Sequence, residues 1–383
     1  MSLFMNNEDY VTTNPKTRHH TDHLAFFDDP VVVQRYDQVR HNWVEKFNDT
    51  QLSFFWRPEE VDITKDKQDF ESLSEAAKFI FTSNLQRQIL LDTVQGREPL
   101  KAFLPIASSP EMEAACTIWS FSELIHSRSY THIIRGIYND PSEVFDEILE
   151  IPEITDLHEE LDKYYKDLED WNFKKEALDK GFDLGYDSRE HKKSSYLAFM
   201  SVNALEAVRF YVSFACSFAM MELLGKMEGN AKIIKLISRD EALHLTLTQR
   251  ILNRIIKEDE EWASVAEECK EEALDLFLKV GEQEKDWADF LFQKGSILGL
   301  NANICKSYVD WVISKRLSAV GFDYPYDVPK TNPLPWMDGW LSSAAKQTAL
   351  QESENDSYLL GAVSGSTEEA RVSMEAINKL LEK

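Results

Sequence analysis

Apolar residues recur at helical spacing along most of the chain, and no run alternates apolar and polar residues as a half-buried strand would. The pattern predicts helices over about 75–96, 111–138, 191–224 and 230–257, with two or more between 260 and 320. Ser72 and Glu75 have capping-box spacing at the start of the first. Proline usage agrees: there are twelve prolines, but none between Pro152 and Pro325, and proline breaks helix interiors. Stretches such as SVAEECKEEALDLFLKV, 264–280, are dense in helix formers. The fold class is therefore all-α. Residues 1–30, including RHHTDH at 18–23, read as a loosely ordered arm. The charged stretch 153–195 reads as an exposed helical excursion. NPLPWMDGW, 332–340, closes the expected helical domain of 31–340. Residues 341–383 then read as a flexible tail, returning to helical spacing in MEAINKLLEK.

The informative positions are the polar ones that interrupt apolar faces. In FSELIHSRSYTHIIRGI, 121–137, the residues Phe121, Leu124, Ile125, Ile133, Ile134 and Ile137 are core material. Glu123, His126 and Tyr130 lie at i, i+3 and i+7, so they share one helix face. One Glu-x-x-His is weak evidence, but Glu241 and His244 repeat it on a face shared with Ile234 and Ile237. Two further acids sit among apolar neighbours. Asp92 follows Leu85 and Ile89, and Glu206 shares a stripe with Phe199, Val202, Phe210 and Phe214. A buried carboxylate without a partner is costly, so these acids require cations. Arg209 offers one, too few for four acids and two histidines. The order is acid, Glu-x-x-His, acid, Glu-x-x-His, the pattern of ferritin-like bundles that hold two divalent ions. Oxygen-rich ligation with two imidazoles suits iron or manganese better than zinc. Tyr130, one turn beyond His126, reads equally well as a packing tyrosine or as an oxidisable phenol beside the metals.

Charge and cysteine content narrow the classes. The chain has 42 Lys+Arg against 67 Asp+Glu, a formal net charge of −25, which repels phosphate backbones and anionic membranes. No nucleic-acid or membrane partner is expected. Cys116, Cys216, Cys269 and Cys305 form no CxxC pair, and they suit reduced core thiols in a cytoplasmic protein. The start, MSLFMNNEDYVTT, is no signal peptide. Residues 195–224 are long and apolar enough to cross a bilayer. Glu206 and Arg209 at the centre favour a buried helix instead.

Six stretches, QLSFFWRPEEV (51–61), LLDTVQGR (90–97), FSELIHSRSYTHIIR (121–135), MSVNALEAVRFYVSFACSFA (200–219), EGNAKIIKLISRDEALHLT (228–246) and EQEKDWADFLF (282–292), carry a close resemblance to the small, radical-generating subunit of class Ia ribonucleotide reductase. The resemblance covers about Gln51 to Leu360. It implies a ferritin-like bundle with two iron ions per chain, manganese being possible. Asp92, Glu123 and His126 would hold one ion and Glu206, Glu241 and His244 the other, with one or more carboxylates bridging. Tyr130 would carry a stable tyrosyl radical inside an apolar pocket of Phe210, Phe214 and Ile237. Trp56 would supply an electron during assembly, and Asp240 would connect it to His126. Tyr358 would relay the radical out of the subunit, assisted by Glu352. The implied partners are a large catalytic subunit, a second copy of this chain and an electron donor for assembly. The implied reaction reduces ribonucleoside diphosphates to deoxyribonucleotides. Two stretches depart from the family pattern: 153–195 does not align, and MEAINKLLEK is not an acidic, aromatic-containing ending, although its amphipathic spacing suits a groove. Two alternatives use the same six ligands: a di-metal oxidase without a stable radical, and an iron-storage protein. Neither requires Trp56 or Tyr358.

Overall fold

The computed structural model describes residues 20–28 and 33–342. Thirteen α-helices occur among the described residues: α1 Asn42–Ser53, α2 Thr64–Glu71, α3 Glu75–Gln95, α4 Pro110–Ile137, α5 Ser142–Phe145, α6 Pro152–Asp179, α7 Ser188–Ala204, α8 Tyr211–Glu222, α9 Glu228–Ile255, α10 Glu260–Glu268, α11 Lys270–Leu291, α12 Ala302–Ala319 and α13 Met337–Leu341. No named strand occurs among them, only isolated bridges such as Phe26 with Ala107. α3, α4, α8 and α9 pack on one another, and α7 lies against α9. α1 covers α4 and α9, and the α11–α12 pair packs across the junction of α7 and α8. One continuous apolar core runs from Ala25 to Met337.

The expected helices form, with local differences that have clear causes. α3 is capped by Ser74, whose Oγ accepts from the Ala77 N–H at 3.2 Å, rather than by Ser72. The Ser72 hydroxyl instead donates to Asp69 O at 2.6 Å and closes the end of α2. The long apolar segment 191–224 is not one regular helix. A π-turn at Leu205–Arg209 separates α7 from α8 and contains Glu206. Although Ser188–Glu222 is apolar enough for a bilayer, 94% of its most apolar window is buried inside the fold.

Three expectations need correction. The end of the supposed loose arm is packed: Phe26 is 1% exposed, and the Ser108 N–H donates to Ala25 O at 3.0 Å. The 153–195 excursion is partly core, because Ile154, Tyr165 and Leu168 on α6 are buried despite the charged flanks. Phe121 and Leu124 are not core; they are 47% and 53% exposed. Their positions turn away from the face that Glu123, His126 and Tyr130 send inward, and Phe55 stacks on Phe121 with ring centroids 6.0 Å apart.

α9, which supplies two of the six candidate ligands, has no side-chain cap of its own. Met227 precedes it in the left-handed region, at φ 62°. The buried Asp66 side chain of α2 takes over, accepting from the Gly229 N–H at 3.1 Å and the Asn230 N–H at 2.6 Å. This close approach explains Gly229: a Cβ there would sit 2.6 Å from the Asp62 carbonyl oxygen. Asp66→Ala should lower stability by about 1–2 kcal/mol, with Asp66→Asn losing less. An unchanged urea midpoint for Asp66→Ala would show that the cap contributes nothing. A second prediction concerns His191, which joins α7 to α6 through Asn172 Oδ1 at 2.9 Å. Burial, with Lys175 adding to it, pushes this imidazole down to about 4. The neutral ring therefore stabilises the fold fully above pH ~6.5, and up to about 3 kcal/mol is lost as pH falls toward 4. Melting temperatures of the protein and of His191→Gln should converge as pH drops through that window.

Candidate metal centre

Three helices and the π-turn deliver the predicted acids and imidazoles to one place. Asp92 comes from α3, Glu123 and His126 from α4, Glu206 from the π-turn, and Glu241 and His244 from α9. All six are buried, none more than 2% exposed. They form two overlapping groups, Asp92–Glu123–His126–Glu241 and Glu123–Glu206–Glu241–His244, each with ligand atoms within 4.8 Å of one another. Glu123 and Glu241 belong to both groups. His126 Nδ1 lies 3.1 Å from Glu123 Oε2 and from Glu241 Oε1, and 3.8 Å from Asp92 Oδ2. His244 Nδ1 lies 3.0 Å from Glu123 Oε1 and 2.9 Å from Glu241 Oε2.

Burial and mutual proximity shift the protonation of the cluster. Burial, then Glu123 and Glu241, pushes the Asp92 carboxyl well above its ordinary value. Burial, then Glu241 and Glu123, does the same to Glu206. Burial alone would lower both imidazoles, but the carboxylates outweigh it. His126 is raised well above its usual range, and His244 is raised to about 9. Glu241, for which burial acts upward, is held far below the carboxylate range mainly by His126 and His244. Both oxygens of Asp92 and Oε2 of Glu206 make no hydrogen bond of regular geometry among the described residues. Buried polar atoms rarely stay unpaired, and orphaned oxygens facing imidazole nitrogens are a donor set for hard or borderline divalent ions.

The surrounding side chains are ordered. Trp56 Nε1–H donates to Asp240 Oδ2 at 2.9 Å, and the same oxygen lies 3.2 Å from His126 Nε2. Trp56, Asp240 and His126 therefore form one connected path, with Nδ1 of His126 left facing the acids. Asp240 is 1% exposed, not the surface acid that its helix position alone implies. Tyr130 is fully buried on the face it shares with His126. Burial, then the Asp92 carboxylate, raises its hydroxyl well above the usual phenol range, and the hydroxyl has no hydrogen bond of regular geometry among the described residues. Phe210, Phe214 and Ile237 are buried, and the two phenylalanines stack at 5.5 Å. Tyr358, Glu352 and the segment 374–383 lie outside the described residues.

Sequence reasoning missed three side chains that bear on the centre. Trp119 Nε1–H donates to Glu123 Oε1 at 3.0 Å. Gln95 Nε2–H donates to Glu206 Oε1 at 2.7 Å. The Tyr165 hydroxyl donates to Gln95 Oε1. Trp119 precedes Glu123 by four residues and Gln95 follows Asp92 by three, so helical spacing could have flagged both. Tyr165 offers no such signal, because it reaches the centre from α6.

Comparison with known proteins places this geometry. Residues 34–333 match the profile of the family described as ribonucleotide reductase, small chain. The chain is 52% identical over 346 residues to ribonucleoside-diphosphate reductase 1 subunit beta of Escherichia coli O157:H7, covering 88% of this chain and 92% of that one. It is 42% identical over 355 residues to ribonucleoside-diphosphate reductase subunit beta of Enterobacteria phage T4, again covering 88% and 92%. Among solved structures, the ribonucleotide reductase R2 subunit from Clostridium botulinum shares the fold at 24% identity. Its TM-score is 0.68, covering 81% of this chain and 91% of that one. A dimanganese(II) NrdF from Streptococcus sanguinis shares it at 20% identity and TM-score 0.65, covering 82% and 100%. A match over most of the length, together with half-identical relatives, shows that the chain belongs to the small-chain family of ribonucleotide reductase.

Proposed function

We propose that the six clustered residues hold two divalent metal ions and that Tyr130 stores the oxidising equivalent they generate, for use by a large catalytic subunit in reducing ribonucleoside diphosphates. The observation that supports this most is the pair of overlapping ligand groups, which share Glu123 and Glu241 and have a buried phenol on the same helix face. His126 and Asp92 mark one position, and His244 and Glu206 the other. Four carboxylates and two imidazoles match the charge of two divalent ions and suit iron, with manganese also accommodated. When bound, the metal pair would supply one-electron oxidising power after reaction with O2.

The chain's own residues do the rest. Asp240 accepts from His126 Nε2–H, keeping Nδ1 free to ligate, and joins the imidazole to Trp56, which passes in an electron during assembly. Tyr130 gives up an electron and its phenolic proton on the side facing Asp92. Phe210, Phe214 and Ile237 keep water and reductants from it. The equivalent then leaves through Trp56 and Tyr358, with Glu352 assisting. The C-terminal segment MEAINKLLEK presents an amphipathic face to a groove on the large subunit. A second copy of this chain covers the exposed apolar stripe of Leu52, Phe55, Phe121 and Leu124, which on its own would be an unusual patch to leave in water. An external electron donor serves assembly. Four buried free cysteines fit the reducing cytoplasm.

Tyr130→Phe should bind Fe(II) with unchanged stoichiometry. After O2 it should lack the sharp radical signal near g ~2 that the unaltered protein develops, and it should not support nucleotide reduction. Reductase activity in that variant would overturn the radical assignment. A metal-loaded protein with an intact Tyr130 and no radical would instead favour a plain di-metal oxidase. Deleting 374–383 should leave the radical yield intact while weakening capture by the large subunit at least about tenfold. Equal binding would place docking elsewhere.

A further inference from the structure

The two metal positions are braced in opposite ways. At the first, the imidazole is fixed: His126 Nε2 lies 3.2 Å from Asp240 Oδ2, whereas the Asp92 carboxylate is met by the Tyr130 hydroxyl without a hydrogen bond of regular geometry. At the second, the carboxylate is fixed: Glu206 Oε1 accepts from Gln95 Nε2–H at 2.7 Å, whereas His244 Nε2 has no partner among the described residues. Glu123, held by Trp119, belongs to both groups and does not distinguish them.

The brace on Glu206 continues outward. An amide can present either its oxygen or its nitrogen to a carboxylate, and only the nitrogen attracts it. The Tyr165 hydroxyl donates to Gln95 Oε1 and so holds the amide with Nε2 toward Glu206. Tyr165 is itself fixed. It is 1% exposed and packs edge-on against Phe103 at 5.9 Å. Its helix is tied to the 99–103 turn by Asn172 Nδ2–H donating to Ala102 O at 2.9 Å. Glu206, by contrast, stands in the π-turn, where the regular i→i−4 ladder is interrupted. A carboxylate on irregular backbone depends on its side-chain partners for its orientation. With Oε1 occupied by Gln95, Oε2 is the oxygen left free for a metal.

We propose that Tyr165 and Gln95 are positioning residues for the Glu206–Glu241–His244 position, so that α6 sets the occupancy of this position separately from the Asp92–His126 position. The assignment rests on the two-metal reading given above. It gives the divergent 153–195 stretch a role in the centre, and it predicts a selective effect, because outer partners of metal ligands typically contribute tenfold or more in affinity.

The test is a titration of the full-length apoprotein with Mn(II), with free ion followed by EPR. The unaltered protein should bind two equivalents. Tyr165→Phe, which keeps the ring and its packing, should weaken one equivalent about tenfold and leave the other about unchanged. Gln95→Met, close in shape but without the amide, should weaken the same equivalent further. Equal weakening of both equivalents, or of neither, would overturn the proposal in favour of a purely packing role. Glu206→Ala serves as the reference and should abolish the sensitive equivalent. If it leaves two equivalents bound, the two-metal reading itself fails and takes this proposal with it. Should Gln95→Met fail to fold, Tyr165→Phe alone decides, since it removes a single oxygen.

Discussion

Four carboxylates buried together in an apolar bundle are the constraint on which the rest of this structure depends. Each ionised acid in such a place costs several kcal/mol unless a positive charge meets it. Burial and the neighbouring carboxylates push Asp92 and Glu206 toward the neutral form, and the carboxylates push His126 and His244 toward the charged one. Two divalent ions would replace the protons on these groups. The free energy of binding such ions would then be partly folding free energy.

Long helices are the means of carrying that cost. α3, α4 and α9 run 21, 28 and 28 residues, so their backbone polar groups are satisfied internally and their apolar faces can surround the acids. The arrangement needs α9 to start at the right place, and Asp66 of α2 provides this by capping α9 across the fold. It also needs Glu206 to turn inward, and the π-turn in an otherwise apolar helix provides that. The outer partners then divide the work: Trp56 and Asp240 reach the centre through an imidazole, Tyr165 and Gln95 through a carboxylate. The first chain runs to a redox-capable indole and the second to a helix of the fold's edge.

Much of this was legible in residue order. The 3.6-residue period exposed the long helices, and ligand-type residues on apolar faces exposed all six members of the cluster, because a buried acid is anomalous wherever it falls. The same logic found Tyr130. It failed where side chains act across space. Helical spacing alone gave no sign that Asp240 is buried, because its partner Trp56 lies 184 residues away. Tyr165 was hidden inside a charged helix, and its place against Phe103 and Gln95 is set by packing across the fold. Phe121 and Leu124 were misread as core because periodicity marks which residues share a face, not whether that face is covered.

The sequence by itself determined the all-α class, the identity of the candidate ligands and their grouping by helix, since helical spacing and the cost of burying charge are local properties. Only the tertiary structure decided that Glu123 and Glu241 face both positions and that α6 reaches Glu206 through Gln95, and it brings Asp240 between Trp56 and His126 as the family resemblance implied. Those relations join residues about 70 to 184 positions apart, and no local period encodes a contact made when separate helices pack.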